Sequence, residues 1–331
     1  MLTPPISPGK ILIIRLTSIG DVILTTPVIK ALKAGFPDAH IDFLVMDRYA
    51  EAISGNPYLD KVVLFDKEKY RGINGICRFG RNLNAEGYNL VVDLHAKIRS
   101  ILISRCLHAK IIRYKKRSLW KSLGVHLRLM RYQVDDTIVR NYFKPLGQLG
   151  IQYTSEALDF HVTPDDMKKA APYLNMIVFA PGAAQHTKQW PMEYFVELAG
   201  HFREKIVFIG GDDDGEAFDA INPEGKGNCI NLAGKLSLKE SGALIAGSKF
   251  VLTNDSAPFH MARAFNKRVF VFFGPTDPEM FEYDQNTNLL YTGEPCSPCS
   301  LHGDLRCPKG HFNCMKHMRP GWVYDQIKDA L

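Results

Sequence analysis

No apolar run in the chain comes near the roughly 20 residues that a bilayer-spanning helix needs; the longest, such as Ile11 to Ile14 and Val269 to Phe273, are far shorter. The opening stretch MLTPPISPGK lacks a basic n-region followed by a longer apolar core, so a secretory signal is not expected and the cytoplasm is the expected compartment. Neither Gly-x-Gly-x-x-Gly nor Gly-Lys-Ser/Thr follows the first candidate strand, which argues against a nicotinamide oxidoreductase and against a P-loop. Acidic residues are missing from Leu94 to Val134, although 35 occur in the chain. Cysteine is thinly spread except near the C-terminus, where Cys296, Cys299, Cys307 and Cys314 crowd together. Low-complexity tracts and short-period repeats are lacking, and 46% hydrophobic with 23% charged residues is the balance of an ordinary globular protein.

What is present alternates. Short β-branched runs (Lys10 to Leu16, Ile41 to Val45, Val62 to Phe65, Leu90 to Leu94, Lys110 to Tyr114) are spaced by amphipathic segments such as Val22 to Ala34. The plan repeats with Met176 to Ala180, Lys205 to Gly210, Cys229 to Leu232, Phe250 to Thr253 and Arg268 to Phe273, with helices expected at Met192 to Phe202, Leu238 to Ala246 and Ala257 to Ala264. Strands separated by helices favour parallel sheets. A length of 331 residues leaves room for two cores, so two Rossmann-like α/β domains are expected. The boundary is placed at 165/166 in the polar stretch Thr163 to Pro172, and the C-terminal helix 320–331 is a candidate to pack back on the first domain.

Ligands of open parallel sheets bind beyond the carboxyl ends of the strands, so the loops there carry the chemistry. Asp21, in Thr17-Ser18-Ile19-Gly20-Asp21, sits at a helix start; it is either a cleft-facing carboxylate or an acid that the helix dipole alone would favour. Pro181-Gly182 leads through small residues to Lys188, a cation near a helix N-terminus where phosphate is favoured. Asp212 and Asp213, after Gly210-Gly211, fit ribose hydroxyls or a solvated turn equally well. Asn254-Asp255-Ser256-Ala257-Pro258-Phe259-His260 has a capping residue, a first-turn proline and a histidine, which suits a diphosphate at free backbone N–H groups. The acid-free segment holds Lys97, Arg99, Arg113, Lys115, Lys116 and Arg117, a local positive field for anionic partners or a solvated face.

Together these loops resemble the lipopolysaccharide heptosyltransferases, inverting glycosyltransferases of family 9 with the GT-B fold, two Rossmann-like domains facing each other across a cleft. The resemblance spans nearly the whole chain: Arg15-Leu16-Thr17-Ser18-Ile19-Gly20-Asp21-Val22 with Thr26-Pro27, Pro181-Gly182 through Lys188-Gln189-Trp190-Pro191, Gly210-Gly211, and Asn254-Asp255-Ser256-Ala257-Pro258-x-His260. It implies ADP-heptose as donor, a lipid A-Kdo inner-core acceptor, peripheral contact with the cytoplasmic face of the inner membrane, and no nucleic acid. Asp21 then looks like the base; Gly182, Lys188, Asp212, Asp213, Asp255, Ser256, Ala257 and His260 like donor contacts; Thr17, Ser18, Gly20 and the basic residues named above like acceptor contacts. Ala183 and Ala184 stand where some members carry hydroxyl residues. A cation and a helix N-terminus can steady the leaving diphosphate, so no catalytic cofactor is expected. Cys296-x-x-Cys299 has zinc-ligand spacing, making a structural zinc with Cys307 and Cys314 one expectation and reduced, packed thiols or a disulfide formed on purification the others. Another GT-B nucleotide-sugar enzyme, such as an epimerase or a transferase of a different core sugar, and a non-catalytic nucleotide-sugar binder are the competing readings.

Overall fold

The computed structural model describes residues 8–115, 134–222 and 227–330. It divides into two compact units: one takes in the described residues up to 115 together with Asp136–His161, and the other runs from Val162 onward. The division at His161/Val162 falls just before the Thr163 to Pro172 stretch, at whose start Thr163 caps the helix Pro164–Ala170.

The first unit is built on a five-stranded sheet in the order β3-β2-β1-β4-β5, with β1 Lys10–Ile14, β2 His40–Met46, β3 Lys61–Phe65, β4 Leu90–Asp93 and β5 Lys110–Arg113. All pairings are parallel; β1 sits between β2 and β4, with Ile11 opposite Ile41 on one side and Leu90 on the other. Ile11 to Ile14 are wholly buried because helices cover both faces of such a sheet, which is why this strand reads as an unbroken apolar run. The expected helix Val22 to Ala34 is in fact two, Ile19–Ile23 and Thr26–Gly35. Pro27 is the cause: it suits the first turn of a helix and not its interior.

The second unit has a six-stranded parallel sheet in the order β11-β10-β9-β6-β7-β8. Its strands are β6 Ile177–Ala180, β7 Ile206–Phe208, β8 Cys229–Asn231, β9 Val251–Asn254, β10 Val269–Phe272 and β11 Thr287–Leu290. Trp190 is its anchor, stacked on Phe272 at 4.4 Å with its indole N–H donated to Met318 O at 2.8 Å. The helix Pro320–Ile327 buries Val323 and Ile327 in this same core, with Phe195 and Leu198 of the helix Met192–Ala199. The C-terminal helix therefore completes the second unit, where the sequence had offered the first as its seat. Among the described residues no helix is long and apolar enough to cross a membrane.

Candidate active site

In both sheets the strand order reverses direction once, between β1 and β4 in the first and between β6 and β9 in the second. At such a switch point the crossovers leave on opposite faces, and a crevice opens beyond the strand ends. The charged loops of each unit sit at its switch.

In the first unit the organiser is Arg15, immediately after β1 and 8% exposed. Each of its guanidinium nitrogens has a partner: Nε donates to Thr17 O at 2.8 Å, Nη1 to Leu94 O at 2.7 Å, and Nη2 pairs with Asp21 Oδ2 at 2.7 Å. Asp21 is the third residue of its short helix, and the same Oδ2 accepts from Ser18 N at 3.3 Å and Ser18 Oγ at 3.1 Å. Among the described residues Oδ1 has only the Tyr142 hydroxyl, at 3.5 Å. One carboxylate oxygen is thus held from several sides while the other is left nearly free. Burial works to raise this carboxyl, but the Arg15 charge and the hydrogen bonds from Arg15 and Ser18 outweigh it and hold it well below the usual carboxylate range. Asp21 is ionised at any physiological pH. Capping and carboxylate chemistry are therefore not exclusive here, since Oδ2 caps and Oδ1 stays available.

The other acceptor candidates divide. Thr17 and Gly20 are half-buried beside this pair and Ser18 is exposed. Lys97 and Lys115 are exposed, and the Arg99 guanidinium lies 5.7 Å from the centre of the Phe65 ring. Arg113 is different: Nε donates to Asp93 Oδ2 at 2.7 Å and Nη2 to Ser104 Oγ at 2.6 Å. Its charge pairs with a fully buried carboxylate inside the unit. Lys116 and Arg117 lie outside the described residues.

In the second unit, Lys188 ends the short turn His186–Lys188 after β6, and its Nζ pairs with Asp255 Oδ2 at 2.6 Å. Asp255 follows β9, is 4% exposed, and also accepts from Thr276 Oγ1 at 3.0 Å. The loop between is tied by Asn254, which accepts from Trp190 N at 2.9 Å and donates to Pro181 O. Ser256 stands at the N-cap position of the helix Ala257–Ala264, and its hydroxyl oxygen is buried with no hydrogen-bond partner among the described residues. His260 is buried between the rings of Phe259 and Phe281, with ring centres at 4.9 and 5.1 Å. Asp255 thus faces Lys188, and Ser256 and Ala257 occupy the helix start where an anion would be favoured.

Asp212 and Asp213 are exposed at the start of the helix Asp212–Ile221. Asp214, the third helical residue, is the acid that turns inward: its Oδ2 accepts from Gly211 N at 2.9 Å. A Cβ on Gly182 or Gly210 would collide with its carboxylate, which explains both glycines. Burial pushes the Asp214 carboxyl up.

The cysteine-rich loop also takes part. Thr187 N and Oγ1 both donate to Asp304 O at 3.0 Å, and Asp304 N returns a bond to Thr187 Oγ1 at 2.7 Å. Gly303, at φ 79°, lies so close that a Cβ would come within 2.7 Å of Lys188 Cγ. This loop clasps the turn that carries Lys188. Cys299 is pushed up to about 11 and Cys314 to about 12, by burial first and by the neighbouring thiols second. Among the described residues no group of three or more His, Cys, Asp and Glu side chains is arranged to hold a metal ion.

Two Rossmann-like units, each with charged loops at its switch point, are the GT-B architecture of glycosyltransferases. Solved structures share the fold: a glycosyl transferase family 9 protein from Veillonella parvula, at a TM-score of 0.82 and 23% identity over 97% of each chain, and the Escherichia coli ADP-heptose lps heptosyltransferase II, at 0.73 and 20% over 97% of this chain and 98% of that one. The family model described as glycosyltransferase family 9 (heptosyltransferase) matches residues 76–306. Lipopolysaccharide heptosyltransferase 3 of Escherichia coli K12 is 30% identical over 286 residues, 78% of this chain and 80% of that protein. The chain belongs to glycosyltransferase family 9 and is an enzyme of that class.

Proposed function

We propose that this enzyme transfers L-glycero-D-manno-heptose from ADP-heptose to the inner core of lipopolysaccharide, onto a Kdo or heptose residue carried by lipid A, with inversion at the anomeric carbon. The names of its relatives support the sugar and the acceptor class: lipopolysaccharide heptosyltransferase 3, and the ADP-heptose lps heptosyltransferase II that shares the fold. The observation that carries the chemistry is the half-held carboxylate of Asp21, with Oδ2 fixed by Arg15 and Ser18 and Oδ1 meeting, among the described residues, only the Tyr142 hydroxyl at 3.5 Å.

The step balances simply. The acceptor oxygen forms a bond to the anomeric carbon on the face opposite the diphosphate; the bond from that carbon to the phosphate oxygen breaks, and ADP leaves with the electron pair. The hydroxyl proton passes to Oδ1 of Asp21. One displacement inverts the centre. In the second unit, Lys188 and the start of the Ala257–Ala264 helix stabilise the charge that grows on the leaving phosphate. Lys97, Arg99 and Lys115 meet the acceptor's carboxylates and phosphates. Because the acceptor is lipid-anchored, the first unit meets a bilayer surface. The exposed aliphatics Ile73 (66%) and Ile98 (77%), beside the exposed cations Arg71, Arg78 and Lys97, suit an anionic leaflet.

Mass spectrometry of lipopolysaccharide from a strain lacking this protein tests the reading. Core chains truncated at a heptose, restored by the wild-type gene, are expected; a full-length core would refute it.

A further inference from the structure

The loop after β4 contains a histidine that the reaction as described does not use. Asp93, wholly buried at the end of β4, pins the turn: its Oδ1 accepts from the backbone N of His95 at 3.1 Å and of Ala96 at 2.9 Å, and its Oδ2 from Ser100 Oγ at 3.1 Å and Arg113 Nε at 2.7 Å. Ala96 adopts φ 50°, a left-handed conformation that a non-glycine residue takes only where its surroundings impose it. From the other side, Arg15 Nη1 holds Leu94 O at 2.7 Å while Nη2 of the same guanidinium holds Asp21. His95 is therefore fixed next to the Arg15–Asp21 pair.

His95 is 3% exposed, and its Nδ1 is buried with no hydrogen-bond partner among the described residues. A buried ring nitrogen without a partner is destabilising, so an arrangement that spends a left-handed alanine and a four-bonded aspartate to place one calls for an occupant. Burial first, then the cations Arg15 and Lys97, pull its pKa down to about 3, with Asp21 opposing and Arg99 adding least, so the ring is neutral at physiological pH. A neutral imidazole offers one N–H and one lone pair, the complement of a sugar hydroxyl.

We propose that Nδ1 of His95 is a hydrogen-bonding contact for a hydroxyl of the acceptor sugar, which it orients toward Oδ1 of Asp21. This rests on the reading of Asp21 as the base. Neither the basic run nor the loop motifs single out His95; a histidine directly after a strand that borders the switch point is the sequence signal that would have found it.

Steady-state kinetics of His95→Ala, His95→Phe and His95→Asn test the proposal, with ADP-heptose as donor and a deacylated, heptose-deficient core oligosaccharide as acceptor. His95→Ala and His95→Phe are expected to lower kcat/KM for the acceptor by about 10-fold to 100-fold, as when a site's polar partner is lost, with donor KM within about twofold of wild type. His95→Asn, whose amide reaches the place of Nδ1, is expected to recover most of the loss. A trapped water or a purely packing role predicts that His95→Phe matches wild type toward the acceptor, or that His95→Asn is no better than His95→Ala, and either result overturns the proposal. Asp21→Asn run alongside keeps the two ideas apart: lost turnover there with unmoved acceptor kinetics in His95→Ala refutes the His95 contact alone, whereas normal turnover in Asp21→Asn refutes the base and leaves His95 to be judged on its own acceptor shift.

Discussion

Asp21→Asn is expected to bind the donor normally and to transfer heptose roughly 100-fold or more slowly, because an amide cannot take the acceptor's proton. The structure changes what this substitution does to stability. A first-turn acid that only capped its helix would cost up to about 1 kcal/mol when replaced by another capping residue. Here the carboxylate also pairs with Arg15, which is buried, and breaking a buried pair costs about 3–5 kcal/mol. Asp21 is itself 34% exposed, so water screens part of that, and a loss of about 1–3 kcal/mol is expected in a thermal or urea melt. Because the carboxyl is held well below its usual range, it stays charged above its ordinary pKa of about 4 and loses its charge only in stronger acid. Wild-type turnover should accordingly show no acid limb from Asp21 above about pH 5. Near-normal transfer by folded Asp21→Asn would contradict the assignment.

The second large effect is at Lys188. Lys188→Met removes the cation assigned to the leaving phosphate, but it also strands Asp255, 4% exposed, with only the Thr276 hydroxyl as partner among the described residues. A buried charge stripped of its partner costs about 3–5 kcal/mol, so the single variant mixes a folding defect with a binding defect. Lys188→Met combined with Asp255→Asn removes both charges and is expected to regain most of the lost stability. Donor handling should stay impaired, with kcat/KM for ADP-heptose down roughly 100-fold, the effect of losing a charged group that stabilises a leaving oxyanion. Calorimetric titration with ADP on the double variant decides the matter. Wild-type affinity there would make Lys188 a structural partner of Asp255 and nothing more.

The alternation of strand and helix could be read directly because buried parallel strands such as Ile11 to Ile14 are continuous apolar runs. β11 escaped because Thr287 and Asn288 are polar and partly exposed at the sheet edge, so the strand carries no such run. Asp21, Lys188 and the Asp255 loop are nominated by helix-start grammar, which marks the loops after strands. Their partners could not: Leu94 and Tyr142 meet the Arg15–Asp21 pair from 79 and 121 positions away, and nothing local in a chain predicts such a meeting. Charge counted along the basic run does not reveal that Asp93, 20 residues before Arg113, takes up one of its cations. Three consecutive acids at 212 to 214 hid their own answer. Only the third helical residue reaches back to the cap, and Asp214 holds that position.

The most direct test is a single reaction: purified enzyme, ADP-heptose and heptose-deficient core oligosaccharide, followed by mass spectrometry of the acceptor and assay of free ADP. The acceptor is expected to gain one heptose for each ADP released, with other nucleotide sugars giving little product. Release of ADP without a heavier acceptor, or efficient transfer from a different nucleotide sugar while ADP-heptose is left intact, would contradict it.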